Sequence, residues 1–230
     1  MSLSNEERLQ RIGKYAADLI EDGMLVGLGT GSTAAAMVDA LGVRLREEGL
    51  KVIGVATSIA TSNQASAVGI ALKTLDSIDR LDMCIDGADE IDPQFNLVKG
   101  AGGALLFEKL VARRANKYVI ISTDEKLVPK LGVRMPLPVE VVPIGWSHTA
   151  EAIRQLGLEP ELRRKDEKPF VSDGSHYILD CAWPESGLDP AKLAHDLKSI
   201  TGVVDHGLFI GMANTIVAID AQGEIQRQGE

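Results

Sequence analysis

The segment DGADEIDPQFNLVKGAGGALLFE, residues 86–108, gathers four carboxylates (Asp86, Asp89, Glu90, Asp92), one ammonium (Lys99), a glycine-rich turn (Gly100, Gly102, Gly103) and an isolated Glu108. These groups suit proton transfer. Carboxylates can give and take protons, an ammonium can stand beside them, and a glycine turn leaves the backbone flexible. Other uses of the same residues stand beside that one. A calcium loop wants acids at alternate positions and a glutamate at the twelfth, whereas the twelfth residue counted from Asp86 is Leu97. A magnesium site and a plain solvated turn stay open, and Glu108 in an early helical turn could simply complement the helix dipole. Against the solvated turn, Asp86 directly follows the apolar run LDMCI. That puts it at the C-terminal end of a strand, the edge where open α/β sheets bind ligands.

A second turn, Gly27-Leu28-Gly29-Thr30-Gly31-Ser32-Thr33, follows an apolar strand and opens a helix. Its glycines let backbone approach an anion, and the helix N-terminus presents N–H groups with a favourable dipole. The spacing Gly29-x-Gly31-x-x-Ala34 mimics a dinucleotide fingerprint. The ribose-binding acid of that fingerprint should stand about 20 residues on, but Val55-Ala56-Thr57-Ser58 occupies the place, and no lysine sits in the Walker A position. A cradle for a monophosphate fits better, built from Thr30, Gly31, Ser32 and Thr33 with Ser58, Thr61 or Ser62 facing them. The alternative is tight strand–helix packing with ordinary caps.

The elements that must position these turns follow from periodicity. Residues 5–21 carry apolar side chains at helical spacing, with Gly23 as a stop; MLVGLG is a strand, and Ser32 caps a helix through Leu45 to Gly49. KVIGVA, IALKTL, LDMCIDG and KYVIIS are further strands, with helices over about 61–68 and 103–115. Apolar strands alternating with helices predict a largely parallel sheet covered on both faces. Near residue 135 the texture changes. MPLPVEVVPIGW holds three prolines, which suits a boundary or an edge strand. Beyond it come a helix over 148–156, a strand at 160–164, and a hairpin turning at Asp173-Gly174. Asp189-Pro190 then opens a helix to Ile200, GVVDHGLF follows as a strand, and ANTIVAID is a last strand returning to the first domain. The order β-α-β-β-α-β predicts a ferredoxin-like α+β module. The expected division is 1–134 with 208–230 for a Rossmann-like catalytic domain and 135–207 for the ferredoxin-like one.

Composition bounds the partners. The chain has 230 residues, 45% hydrophobic and 25% charged, as ordinary globular proteins do. A net charge of −9 argues against nucleic acid, whose binding rests on Lys and Arg neutralising phosphates. No window approaches the ~18 apolar residues of a membrane span, and the polar N-terminus is no signal peptide, so cytoplasmic localisation is expected. Cys84 and Cys181 are read as buried free thiols, and the clusters Arg113-Arg114 and Arg163-Arg164-Lys165 as solvated faces. His148, His176, His195 and His206 lack zinc-ligand spacing.

Taken together, GLGTGST (27–33), TSIATS (57–62), DGADEID (86–92), KGAGGALLFEK (99–109), STDEKLV (122–128), PLPVEV (136–141) and GVVDHGLF (202–209) resemble ribose-5-phosphate isomerase of the A type, in that family's order along the whole chain. The resemblance implies a Rossmann-like domain carrying a ferredoxin-like one. It implies interconversion of ribose 5-phosphate and ribulose 5-phosphate without metal or cofactor, by a homodimer or homotetramer. It implies Glu108 as general base and Lys99, Asp86 and Asp89 as further catalytic residues. Thr30, Gly31, Ser32 and Thr33 match the phosphate loop, and Lys126 a lysine at the phosphate end. The first helix departs from the family, which often has a phosphate-contacting lysine early in it; here Arg8, Leu9, Gln10 and Arg11 stand there, and neither arginine is placed in the site. A non-catalytic sugar-phosphate sensor, a coenzyme A transferase-like enzyme and a glucosamine-phosphate deaminase are the competing readings.

Overall fold

The structure is a computed structural model and describes residues 2–229. Along the chain run α1 (Asn5–Asp18), β1 (Leu25–Leu28), α2 (Ser32–Glu47), β2 (Ile53–Ala56), α3 (Ile59–Ala67), β3 (Ala71–Leu72) and β4 (Leu81–Asp86), then two short strands, β5 (Glu90–Ile91) and β6 (Leu97–Val98). Next come α4 (Leu105–Ala112), β7 (Ala115–Thr123), β8 (Leu137–Val141), α5 (Trp146–Arg154), β9 (Glu159–Leu162), β10 (Arg164–Lys165) and β11 (Lys168–Pro169). The order continues through β12 (Tyr177–Ala182), α6 (Pro190–Lys198), β13 (Val203–His206), β14 (Leu208–Phe209), β15 (Thr215–Ile219) and β16 (Ile225–Gly229). Among the described residues no helix is long and apolar enough to cross a membrane.

Contacts group the chain into two compact units. One takes the described residues up to Ala88, Phe107–Leu127, and those from Met212 on; the other takes Asp89–Leu106 and Val128–Gly211. The second unit therefore includes the 89–106 segment as well as the proline-rich stretch.

The first unit is built on a seven-stranded sheet, ordered β16-β15-β7-β4-β1-β2-β3. Every neighbouring pair is parallel except β15 with β16. Strands buried on both faces need apolar side chains along their length, which is why MCI and YVII carry no alternation, while Asp82 near the start of β4 is exposed and accepts from the Leu25 N–H. Ile12, Ala16 and Ile20 of the first helical segment and Met37, Val38 and Leu41 of α2 pack with Leu28, Ile85, Val119, Ile121 and Val217 from the strands. Each large aliphatic buried this way contributes about 1.5–3 kcal/mol. The expected cap at Ser32 shifts by one residue. Gly31 is the N-cap, at a φ of 105° that favours glycine, and Ser32 is the first helical residue. The last strand is not last either: a tight turn at residues 220–224 returns β16 against β15.

The second unit holds a four-stranded antiparallel sheet, ordered β13-β8-β12-β9, with α5 and α6 in the two crossovers, which is the ferredoxin-like arrangement. Leu137, Val139, Val141, Ile153, Leu179, Leu193 and Leu197 form its core. A separate three-stranded sheet, β14-β6-β5, carries residues 90–98. Asp189 caps α6 as expected, its side chain accepting from the Lys192 N–H at 2.8 Å.

Two expectations change. The hairpin is tighter and earlier, with β10 and β11 paired across Asp166 and Glu167, both at positive φ, while the Asp173-Gly174 turn closes on a single bridge between Val171 and Tyr177. The proline-flanked strand β8 is interior rather than an edge. Pro138 is tolerated because it lies just past the end of the β13 pairing. Its carbonyl accepts from the Gly207 N–H (2.7 Å), and the Gly207 carbonyl, which a residue with an N–H at 138 would face, accepts instead from the Lys99 N–H (2.8 Å).

Candidate active site

In the first unit the chemistry gathers at the C-terminal ends of β4, β1 and β2, which lie side by side. A Cβ on Gly29 would stand 2.3 Å from Asp86 Oδ1 and 2.5 Å from its Cα, so only glycine fits. That close approach lets the Thr30 N–H donate to Asp86 Oδ1 at 3.0 Å, and the Gly87 N–H donates to the same oxygen at 2.7 Å. Asp86 is fully buried, at 0% exposed. Thr30 Oγ1 lies 2.7 Å from Thr57 Oγ1, 2.8 Å from Ser58 Oγ and 3.0 Å from Thr61 Oγ1. Thr57 and Thr61 donate in turn to the carbonyls of Leu28 and Gly29. This hydroxyl web ties the two strand-end turns together and engages Thr30 and Ser58. No side chain caps α2, so its first N–H groups, at Ser32 and Thr33, remain for an anion.

α4 rests on the same sheet. A Cβ at Gly27 would come within 2.8 Å of both Cys84 Sγ and Val111 Cγ1, so that glycine lets the helix pack closely. Glu108 sits one turn before Val111 on the same helical face, toward the ligand-binding edge of the strands, and is 4% exposed. Tyr118 of β7 pairs with Cys84 and is buried among them. Burial, and then the charges of Asp86, Cys84 and Glu108, push its phenol well above the usual value, so it stays protonated.

Lys126 ends a single 3-10 turn, Asp124–Lys126, after β7. Arg8 reaches the two acids before it: Nη1 donates to Glu125 Oε2 at 3.0 Å and to Asp124 Oδ1 at 3.4 Å, and Nη2 to Glu125 Oε1 at 3.4 Å. Burial opposes ionisation of Glu125, but hydrogen bonds from its own backbone N–H and from Arg8 outweigh it and hold that carboxyl at about 2. Asp124 shifts upward instead, through burial and the neighbouring Glu125. Arg11 lies against Gly223.

The second unit holds the remaining acids and the lysine, and here the four carboxylates of the 86–92 loop divide by task. Glu90 is fully buried and accepts from three backbone donors, the N–H groups of Gly132 (2.6 Å), Arg134 (2.6 Å) and Met135 (3.1 Å). Asp92 closes its own turn, accepting from the N–H groups of Gln94 and Asn96. Asp89 is half-buried, and its Oδ2 accepts from the Ala101 N–H at 3.0 Å, joining the acidic loop to the glycine turn. Lys99 is 2% exposed, with its Nζ 5.6 Å from the centre of the Phe209 ring. Gly100 and Gly103 both have positive φ, and the Gly103 N–H closes the turn onto the Gly100 carbonyl at 3.0 Å. Glu90→Ala, which deletes the acceptor of three N–H groups, should destabilise the fold by about 2–3 kcal/mol. A calorimetric midpoint lower by about 5–10 °C would register it, and an unchanged midpoint would refute the role.

Of the residues expected in the site, the first unit holds Asp86, Glu108, Thr30, Gly31, Ser32, Thr33, Ser58 and Lys126, and the second holds Asp89, Lys99, Gly100, Gly102 and Gly103. Arg163 was expected on a solvated face, with Arg164 and Lys165. It is instead largely buried, pairs with Asp180 and donates to the carbonyls of the glycine turn. Nothing in its neighbourhood in sequence marks it, since its partners come from 17 and more than 60 residues away. Tyr118 was not singled out, hidden as it is in an apolar strand, and Glu90 was named only as one of four acids, with no role of its own. Among the described residues no group of three or more His, Cys, Asp or Glu side chains could hold a metal ion.

Comparison with known proteins gives one consistent result. The family model described as ribose 5-phosphate isomerase A (phosphoriboisomerase A) matches residues 53–223. The ribose-5-phosphate isomerase A of Thermomicrobium roseum is 51% identical over 217 residues, covering 94% of this chain and 91% of that protein. That of a Synechococcus species is 50% identical over 222 residues, 96% of each. Among solved structures, ribose 5-phosphate isomerase A from Methanocaldococcus jannaschii superposes with a TM-score of 0.91 at 35% identity, over 99% of this chain and 100% of that one. A D-ribose-5-phosphate isomerase in complex with phospho-erythronic acid gives a TM-score of 0.94 at 33% identity, over 99% and 100%.

Proposed function

Because the chain belongs to the ribose 5-phosphate isomerase A family, we propose that it interconverts ribose 5-phosphate and ribulose 5-phosphate through an enediolate. The observation that carries this reading is similarity to isomerases over nearly the full length of both chains. Three buried ionisable groups support it: Asp86, Lys99 and Glu108 are each at most 4% exposed, and buried ionisable groups concentrate at functional sites.

The roles follow from the chemistry. The cyclic sugar must open before C2 can lose a proton, and Asp86 serves that proton relay, with Asp89 orienting the site. Glu108 takes the C2 proton and returns it to C1, while the O2 hydroxyl proton passes to O1, so that the aldehyde becomes a hydroxyl and C2 a ketone. Lys99 stabilises the charge that develops on oxygen, a kind of interaction worth about 3–4 kcal/mol per well-placed donor. The phosphate does not react; it is a handle, met by the N–H groups at Gly31, Ser32 and Thr33 and by Lys126. Binding energy realised at that end helps hold the open chain for reaction. On family resemblance we also propose a cytoplasmic enzyme of the pentose phosphate pathway, acting as a homodimer or homotetramer.

Purified protein incubated with ribose 5-phosphate and EDTA is expected to form ketose, measured by its colour reaction. If no ketose forms, the isomerase reading fails, and the sensor and transferase readings return.

A further inference from the structure

Arg163 is the most fully engaged side chain near the glycine turn. Its Nε donates to Asp180 Oδ2 at 2.8 Å and its Nη2 to Asp180 Oδ1 at 2.5 Å, a two-point pair that fixes the guanidinium plane. Its Nη1 then donates to two successive carbonyls, those of Gly100 (2.9 Å) and Ala101 (3.0 Å). The guanidinium lies 5.7 Å from the centre of the Phe170 ring, and that ring fills the space a Cβ on Gly103 would need, 2.5 Å away.

Two carbonyls turned toward one guanidinium have a geometric consequence. The peptide bonds are trans, so each N–H points opposite to the C=O of its own plane. In the first plane, the Gly100 carbonyl points to Arg163 and the Ala101 N–H points away, where it reaches Asp89 Oδ2. In the second plane, the Ala101 carbonyl points to Arg163, so the Gly102 N–H must also point away, toward the side on which the Asp89 carboxylate lies. Among the described residues nothing accepts from that N–H. A Cβ on Gly102 would meet nothing within 4 Å, so the space beside it is open.

We propose that the Arg163–Asp180 pair is a positioning device that aims the Gly102 N–H as a hydrogen-bond donor to the oxyanion formed on the substrate. Arg163 itself does not touch the sugar; it acts through the peptide plane. A lysine could not replace it, because one ammonium cannot hold Asp180 at two points and two carbonyls as well. The proposal rests on the isomerase reading, since the oxyanion is that of the enediolate.

Wild-type turnover of ribose 5-phosphate tests that reading first, and the clamp is then judged on variants relative to it. Arg163→Lys and Arg163→Ala are expected to lower kcat by about 10–100-fold, since one donor is misaimed, with KM and inhibition by inorganic phosphate within about twofold of wild type. Affinity for phospho-erythronic acid, whose carboxylate resembles the reacting end, should fall with kcat. A purely structural role would move the melting temperature and both ends of the substrate alike, and that pattern overturns the proposal. Gly102→Pro removes the N–H directly and should cost as much as Arg163→Ala. In its background Arg163→Ala should cost little more. Additive losses, or full turnover in Gly102→Pro, also overturn it. If the wild-type protein does not turn over ribose 5-phosphate, the isomerase reading fails instead, and unequal phospho-erythronic acid binding by wild type and Arg163→Lys still decides whether the clamp orients a donor.

Discussion

Glu108→Gln should lower kcat by at least about two orders of magnitude, with KM within about threefold of wild type. Glutamine has nearly the shape of glutamate, so it fills the same 4%-exposed place on α4 and leaves the packing of Val111 on Gly27 intact. What it lacks is a basic oxygen able to take a proton from carbon. Exchange of substrate C2 hydrogen with solvent should therefore stop together with turnover. Near-normal turnover would take the base's role from Glu108 and give it to one of the loop acids.

Lys99→Met is the second large loss, about 10²–10³-fold in kcat. Methionine is unbranched like lysine and fills the same buried place, while the ammonium that lies 5.6 Å from the centre of the Phe209 ring is lost, so the protein should melt near the wild-type temperature. The two variants differ in kind. Without the base, proton abstraction stops; without the ammonium it continues slowly, because the intermediate is less stable while the base is present. Slow C2 exchange in Lys99→Met with none in Glu108→Gln would separate the roles. Equal exchange in both would mean that Lys99 does something other than stabilise the oxyanion.

Much of the first unit can be read from the residues. Apolar runs such as MCI and YVII have only one comfortable environment, the middle of a parallel sheet, and an acid or a glycine directly after such a run marks the ligand edge. Asp86 and the turn at Gly29–Thr33 stand out for that reason, whereas Glu108 lies in an early helical turn and its role comes from the family resemblance alone. Glu90 and Arg163 were not legible. Each is defined by what it binds, and Glu90 binds backbone 42–45 residues away while Arg163 binds carbonyls 62–63 residues away. Backbone donors and acceptors are the same for every residue type, so no pattern of side chains announces them. Pro138 misled for the opposite reason. The rule that proline avoids sheet interiors concerns hydrogen bonds, and here the bond it cannot make would have gone to an acceptor already taken by another segment.

That last arrangement makes position 138 a junction. Three stretches of chain meet at the Gly207 peptide, and the proline decides which two may join: any residue with an N–H would compete with Lys99 for one oxygen. Gly207 is equally constrained, since a Cβ there would come 2.2 Å from the Lys99 carbonyl. A variant at either place would leave every reactive group in the sequence untouched and would still be scored, in a screen for turnover, as if the lysine itself had been lost.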